Sequence, residues 1–249
     1  MTSIFERHIR LDGAHNVRDL GGYSTRSGAK TRWRSVLRAD ALHELSAKDV
    51  DGLLNLGVRT VIDLRNNVEI ARQPSVLAAQ PAIAYHHISL FDGLAPADVM
   101  LREQQATDLS TRYITAIDTC RPTFARIAST IADADDGIIL FNCTAGKDRT
   151  GIISAMLLSL AGVEDNAIAA DYALTRTLAE PLIERLRAAA LARGVGGDIC
   201  QVLLSSEPSS MMTLMGHVRT HYDGFQNYLS CEGTPARVLS LIGRRMVEA

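Results

Sequence analysis

The chain has 249 residues, of which 26 are Lys or Arg and 28 are Asp or Glu, giving a net charge of -2. That balance exerts no global pull toward nucleic acid or an anionic membrane surface. No apolar run is long enough to cross a bilayer, and Met1 to Arg10 lacks a signal-peptide core.

The length suffices for a sizeable core. No Gly/Ser/Pro-rich linker or internal repeat divides it, so one domain over residues 1–249 is expected. Cys120, Cys143, Cys200 and Cys231 are scattered with no Cys-x-x-Cys pair, which fits neither a disulfide framework nor a zinc site. No metal and no cofactor are expected. A reducing cytoplasm is the expected location, although secretion without a cleaved signal is compatible with the same sequence. The sequence sets no oligomeric state.

In chain order, residues 32–38 predict a strand. Ser46 caps a helix that runs to Leu56 and stops at Gly57. Residues 58–64 and 83–90 predict two more strands. An amphipathic helix spans about 98–118, with Ala106, Leu109, Tyr113, Ile114 and Ile117 on one face; amphipathicity marks packing before it marks a lid. Pro122 sits in the first turn of a helix over 123–133. The apolar run 138–141 predicts a strand and 152–160 a buried helix. Helical stretches follow over 164–176, 180–193, 209–229 and 234–247. Strands interleaved with helices predict an α/β fold, a mainly parallel sheet flanked by helices with a helical C-terminal part. Ligands bind such sheets at the carboxyl ends of their strands.

The chemistry concentrates in one segment. Strand 138–141 leads to Cys143, a loop with Gly146 and Lys147, then Arg149, Thr150, Gly151 and a helix. Strand, tight loop and helix N-terminus aim backbone N–H groups at one point, a cradle for a phosphate-sized anion with a thiol at its floor. A helix N-terminus and nearby cations favour the thiolate, the nucleophilic form of cysteine. Arg149 offers a planar fork for two phosphate oxygens, which lysine cannot match. Gly146 allows close backbone approach, and Thr150 can donate a hydrogen bond to the sulfur.

The string Cys-Thr-Ala-Gly-Lys-Asp-Arg-Thr-Gly, residues 143–151, resembles the signature of the cysteine-dependent protein tyrosine phosphatase superfamily. Its Lys-Asp before the arginine is similar to the bacterial tyrosine/serine phosphatase branch. Residues 16–23, 34–42 and 57–65 resemble three further blocks of that branch, and the tail from His221 through Tyr228 to Arg245 does so weakly. The resemblance implies a tyrosine-phosphatase-like fold and a phosphoric monoester hydrolase that works through a cysteinyl-phosphate. The substrate would be a phosphoprotein or a phosphoinositide. The phosphate would be held by Thr144, Ala145, Gly146, Lys147, Asp148, Arg149 and Thr150. The family usually has histidine before the cysteine. Here Asn142 stands there, an amide able to hold loop hydrogen bonds but bringing no charge.

The chain has no Trp-Pro-Asp tripeptide to supply a general acid. Asp148 is the first candidate, because the branch has aspartate there. Asp63 is the second, since it follows the strand 58–62 and shares the sheet edge with Cys143; a bracing salt bridge to Arg65 or Arg38 explains it equally well. Asp92 and Asp171 rank lower. Lys147 raises the local positive potential, which favours multiply phosphorylated substrates; the alternatives are an anchor for one phosphate or a charge turned to solvent. Residues 18–22 read as a braced turn beside the loop. His217 and His221 have metal-ligand spacing but lack the glutamate of a metalloprotease helix. His86 and His87 lie on a strand and point to opposite faces. Two other functions compete with a phosphatase: a catalytically weak phospho-binding protein, suggested by Asn142, and a rhodanese-like sulfurtransferase.

Overall fold

A computed structural model describes residues 7–90 and 108–248. Its centre is a five-stranded sheet of β1 (Arg18–Asp19), β2 (Val36–Ala39), β3 (Val58–Asp63), β4 (Ala84–His87) and β5 (Ile138–Asn142). The order is β1-β2-β5-β3-β4. All pairs are parallel except the short β1–β2 edge. Every residue of β5 is buried, as a continuous apolar run in the middle of a covered parallel sheet must be. Side chains alternate between two cores. Ile139, Phe141 and Cys143 join the larger cluster, whereas Ile138 and Leu140 join the smaller one.

The smaller core is covered by α1 (Ala47–Leu56) together with the N-terminal segment. The Ser46 cap and a left-handed Gly57 bound α1, as expected. The short α2 (Asn67–Arg72) starts from a reciprocal Asn66–Glu69 capping box. The larger core is built from α3 (Leu109–Thr119), α4 (Arg121–Asp133), α5 (Asp148–Leu160), α6 (Asp165–Ala173), α8 (Glu180–Leu191), α9 (Gly197–Leu204), α10 (Pro208–Tyr222), α11 (Phe225–Cys231) and α12 (Ala236–Met246), with the one-turn α7 (Thr175–Leu178) between α6 and α8. No helix among the described residues is long and apolar enough to cross a membrane.

Several boundaries differ from expectation, each for a local reason. The strand expected over 32–38 begins only at Val36, because Arg34 sits at φ 55° and interrupts the extended backbone. The helix expected over 209–229 breaks into α10 and α11 where Asp223 and Gly224 both take positive φ. The helical stretch over 164–176 divides into α6 and α7, and α2 and α9 had no expected counterpart. The helix expected from residue 152 starts at Asp148, so Arg149 and Thr150 lie in its first turn. Within the stretch about 98–118, α3 covers the described part and the rest lies outside the described residues, as does Asp92.

Candidate active site

Cys143 follows the last residue of the central strand, and five residues later Asp148 opens α5. The chain turns that tightly only because Gly146 takes φ +63°. A Cβ there would lie 2.7 Å from the Ala39 carbonyl and from the Asp40 nitrogen. The loop is gripped from behind by its carbonyls. Ala41 N–H donates to Thr144 O at 3.1 Å. Asn16 Nδ2 donates to Ala145 O at 2.9 Å and to Gly146 O at 3.0 Å. Arg38 Nη2 donates to Gly146 O at 2.8 Å. With the carbonyls directed outward, the N–H groups face the bowl. Among the described residues none from Thr144 to Lys147 donates to another protein group.

Arg149 lies across this bowl. Its Nη1 and Nη2 meet the two carboxylate oxygens of Glu69 at 2.7 and 2.8 Å, and Nη2 also reaches Thr144 Oγ1 at 3.2 Å. The Thr144 hydroxyl closes the triangle by donating to Glu69. Burial works against the Arg149 cation, but Glu69 and the nearby Cys143 sulfur more than offset it and hold the guanidinium protonated. Burial likewise opposes the Glu69 carboxylate, and the Arg149 contact outweighs it, so the Glu69 pKa is lowered. Glu69 escaped the sequence reading. The Asn66-x-x-Glu69 spacing signalled a helix start, but nothing local revealed that the same carboxylate would hold Arg149.

Asp148 accepts from Tyr113 Oη and pairs with Lys147 Nζ at 2.9 Å, both on Oδ1. Tyr113 in turn meets Tyr172 at 2.7 Å. Burial opposes the Asp148 charge, yet Lys147 and Arg112 overcome it and lower its pKa. The expected role of Lys147 needs correcting. Its ammonium is buried and donates to Leu203 O at 3.0 Å and Ser205 O at 2.9 Å, besides pairing with Asp148. It ties the loop to the end of α9 instead of offering a second cation to substrate.

The other candidate carboxylates among the described residues are enclosed by arginines and tyrosines. Asp63 is fully buried. It takes the Nε and Nη2 edge of Arg65 and the Tyr85 hydroxyl at 2.8 Å, which is the Arg65 bridge weighed in the sequence. Asp171 is enclosed by Arg18 at 3.1 Å, Arg38 at 2.6 Å and the Tyr23 hydroxyl at 2.8 Å. These contacts overcome burial and keep its pKa well below the usual carboxylate range. Burial and then Arg18 pull Arg38 down to about 10, which leaves it cationic at neutral pH.

Asn142 corrects another expectation. Both of its amide atoms are buried without a hydrogen-bond partner among the described residues, and strand alternation turns it to the face opposite Cys143. It holds no loop hydrogen bonds; Asn16 does. Thr150 Oγ1 is likewise buried and unpartnered among the described residues, so the expected donation to sulfur is not formed. His217 pairs with Asp118 at 2.9 Å and stacks on His221. No group that could hold a metal ion occurs among the described residues.

A buried cysteine at the head of an amide-lined loop, with a guanidinium from the following helix near its sulfur, is the arrangement expected of a cysteine-dependent phosphatase. Comparison with known proteins agrees: the model of the tyrosine phosphatase family matches residues 9–248. The chain belongs to that family. It is 39% identical over 142 residues to a tyrosine-protein phosphatase of Nostoc commune, a match covering 57% of this chain but only 48% of that protein. The chain thus spans about half the length of the Nostoc relative. It is 26% identical to a Cupriavidus necator protein with a provisional tyrosine-protein phosphatase name, over 91% of this chain and 85% of that one. It is 29% identical to the triple specificity protein phosphatase PtpB of Mycobacterium tuberculosis, over 65% of this chain and 67% of that one.

Proposed function

We propose that the protein hydrolyses phosphomonoesters, with phosphotyrosine in a protein or peptide as the favoured substrate. The observation that carries this is the pairing of Cys143 with an inward-facing amide bowl and with Arg149. The substrate phosphate takes the place the unpaired amides define, with one oxygen on the Nε–H of Arg149 and a second on Nη2 in place of Thr144 Oγ1. The Cys143 thiolate attacks phosphorus in line, the P–O ester bond breaks, and a cysteinyl-phosphate forms. The charge on the equatorial oxygens meets donors already aimed at it.

Asp148 is the proton carrier. It is ionised in the free protein, so its proton comes from the substrate monoanion and passes to the leaving oxygen. In the second step the same carboxylate takes a proton from the water whose oxygen bonds to phosphorus, and hands it to the departing phosphate. The S–P bond then breaks, and thiolate and inorganic phosphate are released. Asp63, enclosed by Arg65 and Tyr85, is the weaker candidate. The names of the relatives support a tyrosine phosphatase, and the M. tuberculosis relative carries the words triple specificity. The engagement of Lys147 with backbone carbonyls removes one argument for a multiply phosphorylated substrate. A cytoplasmic site of action suits a catalytic thiol.

The test is phosphate release from a phosphotyrosyl peptide by the purified protein. The wild type releases phosphate and Cys143→Ser does not, while still binding tungstate. Release at the wild-type rate by Cys143→Ser would remove the nucleophile and the proposal with it.

A further inference from the structure

A peptide plane has its C=O and the following N–H on opposite sides. Fixing the Ala145 carbonyl therefore aims the Gly146 N–H, and fixing the Gly146 carbonyl aims the Lys147 N–H. Both carbonyls are held by one side-chain nitrogen, Asn16 Nδ2, at 2.9 and 3.0 Å. An amide nitrogen has two hydrogens, and here the two carbonyls are its nearest acceptors, with Thr175 Oγ1 a longer third at 3.4 Å. The orientation of that amide is set from its other end, where Arg18 Nη1 donates to Asn16 Oδ1. Arg18 is held by Asp171, and so is Arg38, whose Nη2 is the second donor to Gly146 O. Asn16, Arg18 and Arg38 are all fully buried. The backbone of Asn16 is fixed as well, with its N–H on Asp40 Oδ1 at 3.0 Å.

We infer that Asn16, seconded by Arg38, is a positioning residue that aims the Gly146 and Lys147 amides at the bound phosphate and so does the bracing work that Asn142 does not. The inference rests on the reading of this loop as the phosphate site. Asn16 itself touches neither phosphate nor sulfur; it acts through two peptide planes. A residue that merely filled space there would tolerate an isosteric change best. A residue needed for its donors tolerates that change worst, because Asn16→Asp sets acceptor oxygens against two carbonyls and pushes the peptides round.

The experiment measures tungstate affinity by calorimetry in a Cys143→Ser background, which reads the bowl without turnover. Asn16→Ala is expected to weaken tungstate about 10-fold, the scale of one or two lost hydrogen bonds. Asn16→Asp is expected to weaken it by about 100-fold. In the otherwise wild-type enzyme kcat falls in the same order. Affinity for tungstate that is lower in Asn16→Ala than in Asn16→Asp, or that is unchanged in either, overturns the inference. If Asn16→Asp does not fold, Arg38→Met takes its place: it must weaken tungstate about 10-fold, and parental affinity there overturns the inference equally. A wild-type protein that hydrolyses no phosphomonoester would sink the proposed function, yet the tungstate titrations would still report on the bowl.

Discussion

Two arginine–carboxylate pairs follow the carboxyl edge of the same sheet, and they do opposite things. Arg65 and Asp63 are 1% and 0% exposed. Asp63 has Tyr85 on it as well, and Arg65 also donates to the Gln73 carbonyl at 2.8 Å. Arg149 and Glu69 are 4% and 14% exposed. Glu69 takes only the two terminal nitrogens of the fork, and among the described residues Arg149 Nε donates to no protein group. The first pair is closed on every side, the arrangement of a brace. The second holds an arginine by its tip, with Nη2 also on Thr144 Oγ1, and leaves the Nε–H unspent. What separates the two is the guanidinium Nε–H, spent on Asp63 in Arg65 and unspent in Arg149.

Substitutions separate the two pairs. Arg149→Lys is expected to cost about 10³-fold in kcat, since a point charge cannot reproduce the fork; steady-state rates near wild type would place Arg149 among the braces. Asp63→Asn is expected to act on the other axis, removing about 3 kcal/mol of stability by leaving Arg65 buried and unpaired. Denaturant melts would show that loss, while kcat per folded molecule stays within a few-fold; a large drop in kcat with intact stability would move Asp63 into the chemistry.

Asp148→Asn should lower kcat by about 10²-fold with a phosphotyrosyl peptide, the scale of one general acid. The loss should shrink with a p-nitrophenyl ester, whose leaving group needs no proton. Glu69→Gln is expected to have the smallest effect, about 10-fold in kcat/KM, because the Arg149 fork is held by a neutral partner. The sign of the pH effect follows from the lowered Glu69 pKa. The stabilisation of the pair is complete above the ordinary glutamate value, roughly pH 4.3. It drains away as pH falls further, through the folded-state value. Acid melts of Glu69→Gln should therefore lack part of the wild-type decline, and superimposable curves would contradict the pairing.

Much of this site was legible in the sequence because its logic is local. Cys143, Gly146, Arg149 and the strand–loop–helix order follow from one run of residues, and so do the Ser46 and Gly57 bounds of α1. The partners were not legible, because side chains far apart in sequence choose one another only in the folded chain. Glu69 meets Arg149 across 80 positions, and Asn16 reaches the loop from 129 positions away. Lys147 reads as a free cation in the motif, yet it is consumed by carbonyls of a segment whose helix, α9, was not anticipated. Carboxylates at a sheet edge look alike in one dimension, so Asp63 and Asp148 could be told apart only by what surrounds them.

α5 is buried along ten successive positions, from Arg149 to Leu158. A helix sunk that deep has no cheap way to fray, and the first turn that presents the guanidinium is continuous with the part locked in the core. Warming should therefore extinguish turnover and cooperative structure together, at one temperature, without a preceding phase in which a folded protein has lost its site.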